Sequence, residues 1–335
     1  MIQQAIYKAL NRENLTLEET KAVMDEIMSG SATNAQIAGF VTAIRMKGET
    51  IEEITACAMI MRKYGLKVTH QGDVLDIVGT GGDEAFTFNI STISSLIISA
   101  AGIPVAKHGN RSVSSKCGSA DVLEALGVKI DIPVEKSERL LKEIGICFLF
   151  APIYHSSMKY AAPVRRELGV RTIFNILGPL SSPANANLQL LGVYDENLVE
   201  PMARVLANLG VKRAMVVHGH DGLDEVSLSA RTTVCEVNNG QVNSFFLDPH
   251  QFGFEYCKAE DLIGGDPAQN AEIAMRILSG ELGPKRDIVL LNSAICLYMS
   301  YNNITLRECI KLAAETIDSG KAMEQLRNFI HLSNA

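Results

Sequence analysis

With 335 residues, 47% of them hydrophobic and 21% charged, the chain can bury a large core, which excludes a disordered or fibrous protein. Its formal net charge of −7 supplies no global basic field, so neither nucleic acid nor an anionic membrane is an expected partner. The cysteines at 57, 117, 147, 235, 257, 296 and 309 form no C-x-x-C pair and no disulfide frame, and no charged amino terminus leads into a short apolar run, so a reducing cytoplasm is the expected location.

The first 65 residues read as helices alone. Thr16-x-x-Glu19, Thr33-x-x-Gln36 and Thr50-x-x-Glu53 each match a capping box, and Gly30, Gly48 and Gly65 fall where the three helices should stop. After Gly72 strands and helices alternate. Strands are predicted at 73–79, 103–109, 146–152, 188–193 and 213–218, with helices at 92–101 and 119–126. A hairpin over 232–247 is expected to turn at Asn238-Asn239-Gly240. Of the two long uncharged stretches, 86–106 is too rich in Ser and Thr to cross a bilayer, and 288–306 reads as a buried core helix. The pattern implies a small helical unit followed by a mostly parallel sheet with helices on its faces. Ligands on such a sheet gather at the carboxyl ends of the strands.

Two loops should lie at that edge. "GTGGDEAFTFNIST" (79–92) crowds three glycines into four positions ahead of a helix start. Glu84 stands where a dinucleotide fingerprint needs glycine, and no Walker A lysine follows, so the familiar nucleotide loops fail. A phosphate cradle and a tight strand-to-helix turn both remain open. "KHGNRSVSSKCGSAD" (107–121) adds Lys107, Arg111 and Lys116 for charge and several serines as donors, a composition suited to phosphate despite the acidic background. In "HGHDGLDEVS" (218–227), Asp224 and Glu225 form a pair able to hold a hard cation beside phosphates, whereas His218-x-His220 lacks a third soft ligand for zinc. Arg165 and Arg166, in "AAPVRRELGVRTIFNILGPL" (161–180), are solvated charges unless a substrate carboxylate needs gripping.

In this order the four stretches resemble the anthranilate phosphoribosyltransferase family over nearly the whole chain, with "KHGNRS" and "RRELGVRTIFN" the most specific strings. The resemblance implies a small all-helical domain (1–70, joined by part of 160–185) hinged to a large α/β domain (71–335), an architecture like that of nucleoside phosphorylases and phosphoribosyltransferases. It implies transfer of a phosphoribosyl group from 5-phosphoribosyl 1-pyrophosphate to anthranilate in tryptophan biosynthesis. Implied donor contacts are Gly79, Gly82, Asp83, Thr87, Asn89, Ile90, Ser91 and Thr92 in one loop. Those in the other are Lys107, His108, Gly109, Asn110, Arg111, Ser112, Val113, Ser114, Ser115 and Ser119. Gly79, Asn110 and Arg165 are the implied anthranilate contacts, and Ser91, Asp224 and Glu225 the ligands of Mg2+, two ions per monomer. A homodimer through the helical domain is expected, with no nucleic-acid or membrane partner and no residue assigned as general acid or base. Glu84, where glycine is common, and Cys117, where a small polar residue is usual, depart from the family pattern. Rival readings are a pyrimidine-nucleoside phosphorylase, a non-catalytic nucleic-acid-binding relative and a regulatory protein that binds the sugar donor.

Overall fold

All three predicted capping boxes form. Thr16, Thr33 and Thr50 each accept a hydrogen bond from the third residue of the helix they open, and the Glu19, Gln36 and Glu53 side chains in turn accept one from the cap N–H. The computed structural model describes residues 1–112, 116–301 and 303–335, so the expected donor contacts Val113, Ser114 and Ser115 lie outside the described residues. Helices Ile2–Leu10, Leu17–Met28, Asn34–Lys47 and Ile51–Tyr64 make up the amino-terminal bundle. Glu53 does more than cap. Its fully buried carboxylate also accepts from the Leu15 N–H (2.9 Å) and pairs with the buried Lys47 ammonium at 2.9 Å, tying three elements together. Such a pair costs stability mainly when one partner is removed, because the other charge is left buried.

The sheet has seven strands: β1 (Leu75–Gly79), β2 (Val105–Gly109), β3 (Ile146–Phe150), β4 (Leu188–Gly192), β5 (Arg213–Gly219), β6 (Thr232–Asn238) and β7 (Gln241–Leu247). Their spatial order is β3-β2-β1-β4-β5-β6-β7, with the first five parallel and the terminal hairpin antiparallel. The hairpin turns at Asn239 and Gly240, both with positive φ, as its sequence predicts.

Alternation along the strands divides two cores. Leu190, Met215 and Val217 face one core, against helices Ile90–Ala100 and Pro284–Ser300. Leu191, Ala214 and Val216 face the other, which also holds Val23, Phe40 and Ile44 of the amino-terminal bundle. Residues from Ala161 to Leu180 belong to this second core as well. Helix Ala162–Leu168 packs on Asn34–Lys47, and Phe174–Leu177 on Ile51–Tyr64. The chain thus leaves the sheet after β3, lays a segment against the bundle, and returns as β4. Among the described residues no two cysteines form a disulfide, and no helix is long and apolar enough to cross a membrane.

Candidate active site at the carboxyl edge of the sheet

The chain runs from β1 outward to β2 and β3, then comes back on the other side of β1 as β4. The crevice between β1 and β4 is therefore the switch point where a parallel sheet opens a ligand site. Both strands end there on glycine, and Gly79 and Gly192 are register partners. A side chain on either would collide with Asp224: a Cβ on Gly79 would come within 2.3 Å of Oδ2, and one on Gly192 within 1.5 Å of its carbonyl oxygen. The two glycines let the "DGLDE" turn lie across the switch point. Gly192 carries no signal in its own stretch of sequence, and only the register reveals it.

From that seat the two carboxylates reach both halves of the first loop. Asp224 Oδ2 accepts the Gly81 N–H at 2.7 Å, and Glu225 Oε1 accepts the Ser91 N–H at 3.2 Å. Burial raises both carboxyl groups above the usual range; the Asp83 carboxyl beside Asp224, and Asp224 beside Glu225, push further the same way. Protein atoms crowd these half-buried carboxylates without neutralising them, which is what a cation site requires. Among the described residues no three His, Cys, Asp or Glu side chains form a closed metal cage. Magnesium needs none, since it takes one or two carboxylates plus water and phosphate oxygens. Ser91, Asp224 and Glu225 suit that ion. Zinc has no support, because His218 Nδ1 is held by the Val193 carbonyl at 2.7 Å and His220 by Thr233 at 2.9 Å.

Lys107, from the second loop, is buried in β2 with its ammonium on the Ile77 carbonyl (2.6 Å) and the Ser91 hydroxyl (3.1 Å). Burial lowers its affinity for the proton, against the pull of Asp76 and Glu225. Asp76, also fully buried, receives the His108 N–H at 3.0 Å and squares the end of β2 against β1. The Ser119 hydroxyl meets the Asn110 carbonyl at 3.2 Å, and Ser112 N–H reaches Asp121 at 3.1 Å. Gly109 leaves the space that the Ser119 hydroxyl and the Phe148 ring fill.

Two expected donor contacts have side chains committed elsewhere. The Arg111 guanidinium lies on Asp121 (2.9 Å) and Glu124. The Asn89 amide donates to the Cys117 carbonyl (3.1 Å) and accepts from Asn270 (2.9 Å) and from the Cys117 thiol (3.3 Å). Cys117 therefore donates as a small polar residue would, and burial keeps it a thiol by raising it to about 11. Asn270, buried on helix Pro267–Leu278, pins the two loops together; nothing in its own sequence context marks it. Thr87 forms a lone bridge to Ile263, while Ile90 and Thr92 are buried at the start of helix Ile90–Ala100.

On the helical side, helix Ala162–Leu168 carries Arg165, half-buried over the Phe174 ring at 5.8 Å. Among the described residues it has no counter-ion, and burial lowers it from its ordinary value. Nearby, His108 and His155 tilt against each other with ring centroids 5.1 Å apart, and the Nε2 atom of each has no hydrogen-bond partner among the described residues. Backbone groups of Gly178 and Ser181 hold the two rings, so the "NILGPL" turn is what joins them to the Arg165 segment. His155 escaped the sequence reading because its partner is 47 positions away in the chain. Burial is the main cause that drops His108 to about 3 and His155 to about 4. Both are neutral when folded and regain the ordinary value of 6.5 on unfolding. Their contribution is thus complete above pH 6.5 and drains away as the pH falls toward 4. Melting temperature should accordingly fall less steeply between pH 7 and pH 4 in His155→Asn than in the parent; parallel slopes in thermal melts would discount this linkage.

Comparison with known proteins agrees over the full length. Residues 3–65 match the glycosyl transferase family helical bundle domain, and residues 71–323 the glycosyl transferase family a/b domain. The chain is 68% identical over 335 residues to the anthranilate phosphoribosyltransferase of Ruminiclostridium cellulolyticum, covering 100% of this chain and 98% of that protein. It superimposes on the Thermus thermophilus anthranilate phosphoribosyltransferase with a TM-score of 0.94 at 41% identity, covering 99% of each. The Saccharomyces cerevisiae enzyme in complex with phosphoribosyl pyrophosphate and magnesium gives a TM-score of 0.90 at 30% identity, covering 99% of this chain and 98% of that one. The same yeast enzyme with 4-fluoroanthranilate gives 0.89 at 29%, with the same coverage. A glycine-floored switch point under two carboxylates is thus set within a match that runs the whole chain, and the chain belongs to the anthranilate phosphoribosyltransferase family.

Proposed function

We propose that this crevice is where the chain carries out its family's reaction, transfer of the phosphoribosyl group of 5-phosphoribosyl 1-pyrophosphate to the amine of anthranilate. The products are N-(5-phosphoribosyl)anthranilate and pyrophosphate, a step of tryptophan biosynthesis. The observation that carries the placement is the seating of two crowded carboxylates at the switch point, with an arginine on the helical side that has no counter-ion among the described residues. The 79–92 and 107–119 loops bind the donor, with Ser91, Asp224 and Glu225 the residues that hold magnesium, two ions per subunit. Bound there, magnesium supplies charge stabilisation to the departing pyrophosphate. The yeast relative's complex with the donor and magnesium supports this reading, and its complex with 4-fluoroanthranilate supports an aromatic acceptor site.

The protein's own part is electrostatic and positional. N–H groups at the start of helix Ile90–Ala100 and the Lys107 ammonium face charge that builds on the leaving group as the C1–O bond breaks. Arg165 grips the anthranilate carboxylate, and Gly79 and Asn110 complete the acceptor site, which orients the amine toward C1. An aromatic amine is already neutral near pH 7, so no residue need act as general base. Purified protein mixed with donor, Mg2+ and anthranilate should deplete anthranilate fluorescence. Turnover of thymidine with phosphate instead would point to a nucleoside phosphorylase.

Residues 1–70 with part of 160–185 form the helical domain, and 71–335 the donor-binding domain. The chain pairs with a second copy through the helical domain, whose helices Ile2–Leu10 and Asn34–Lys47 expose Tyr7, Leu10 and Met46. Leu10→Glu combined with Met46→Glu should halve the mass seen in sedimentation velocity; an unchanged mass would move the interface elsewhere.

A further inference from the structure

The glycine loop adopts a backbone that its residues do not favour. Gly81, Gly82, Glu84 and Phe86 all have positive φ, between 53° and 79°, and two of the four carry side chains. Such a loop keeps its shape when something outside it holds it. Across the cleft, Arg171 follows helix Ala162–Leu168 by three residues. Its Nη2 donates to the Gly82 carbonyl and lies 3.8 Å from the Glu84 carboxylate. The guanidinium stacks on the Tyr194 ring, 4.2 Å from its centroid. Tyr194 belongs to the same assembly: its N–H donates to the Thr80 hydroxyl at 3.1 Å, and the Thr80 N–H to the Gly192 carbonyl at 2.9 Å. One side chain on the acceptor side thus grips the loop after β1 while resting on the residue just beyond β4, straddling the switch point.

We propose that Arg171 is a positioning residue for the sugar donor. It fixes the glycine loop through the Gly82 carbonyl and sets a positive charge beside the Glu84 carboxylate. The inference rests on the donor-site reading of the 79–92 loop. On that reading an uncompensated carboxylate at position 84 adds negative charge to the loop that takes the diphosphate, and like charges at short range weaken binding. A planar guanidinium meets the constraint because it can donate to a carbonyl, face a carboxylate and stack on a ring at once, which an ammonium cannot.

Steady-state kinetics of Arg171→Ala, Glu84→Gly and the double variant test the proposal. Loss of a charge-assisted bond from Arg171→Ala should raise KM for phosphoribosyl pyrophosphate about tenfold, with kcat and KM for anthranilate within about twofold of the parent. Adding Glu84→Gly should bring the donor KM back to within about threefold, because the unpaired acid is then gone. An unchanged donor KM in Arg171→Ala, an equal rise in both KM values, or no recovery in the double variant overturns the proposal. The donor-site reading stands or falls separately, on whether removal of Asp224 and Glu225 abolishes magnesium-dependent turnover.

Discussion

Alanine at both Asp224 and Glu225 should leave a folded protein whose magnesium-dependent turnover is lower by on the order of a thousandfold. The two parts of this expectation come from the same observation. Both carboxyl groups are raised by burial and by neighbouring acids, so their charge costs the fold, which offsets the partners that the Gly81 and Ser91 N–H groups and the Lys107 ammonium lose in the variant. The melting temperature of the variant without metal should therefore stay close to that of the parent. On the proposed reading catalysis loses the residues that would hold the cation against the diphosphate, and the N–H donors and Lys107 that remain cannot replace a divalent charge. Rate measurements across a magnesium titration check the first part, and thermal melts the second. Retained magnesium-dependent turnover in the double variant would end the assignment of these residues, and a collapsed melt would show that they hold the fold instead.

Arg165→Ala should raise KM for anthranilate by about a hundredfold while moving KM for the sugar donor by less than about threefold. The guanidinium is half-buried over Phe174, has no counter-ion among the described residues, and is already partly desolvated. A carboxylate that meets it pays little further desolvation and can bond to both arms of the fork. Alanine removes that attraction for the acceptor's carboxylate and, on the proposed reading, touches no group that holds the donor. Arg166, its exposed neighbour, is the internal control, and its alanine variant should behave as the parent. Initial rates with each substrate varied in turn decide the matter. Equal rises in both KM values would mean that Arg165 supports the cleft as a whole and does not grip the acceptor.

Local chemistry made much of this molecule legible in one dimension. The three capping boxes, the glycine and asparagine of the hairpin and the strand–helix alternation all depend on residues within a few positions of each other, so they can be read along the chain. The same holds for the two phosphate-type loops and the Asp224–Glu225 pair, whose composition is contiguous.

What pairs distant residues could not be read that way. His155 matters through a ring 47 positions away, Asn270 through Asn89, and Arg171 through Gly82 and Glu84. Even the role of Gly192 appears only when β4 is laid in register beside β1 and Asp224 fills the space above both. Likewise, sequence put Arg111 and Asn89 at the donor, yet tertiary packing turned one onto Asp121 and Glu124 and locked the other to Cys117 and Asn270. Sequence alone determined which elements form and which chemistry the loops carry, because propensity, capping and charge act over one or two turns of chain. Only the tertiary structure decided which side chains face the cleft and which are spent on holding it, because burial and hydrogen-bond geometry are set by neighbours that arrive from elsewhere in the fold.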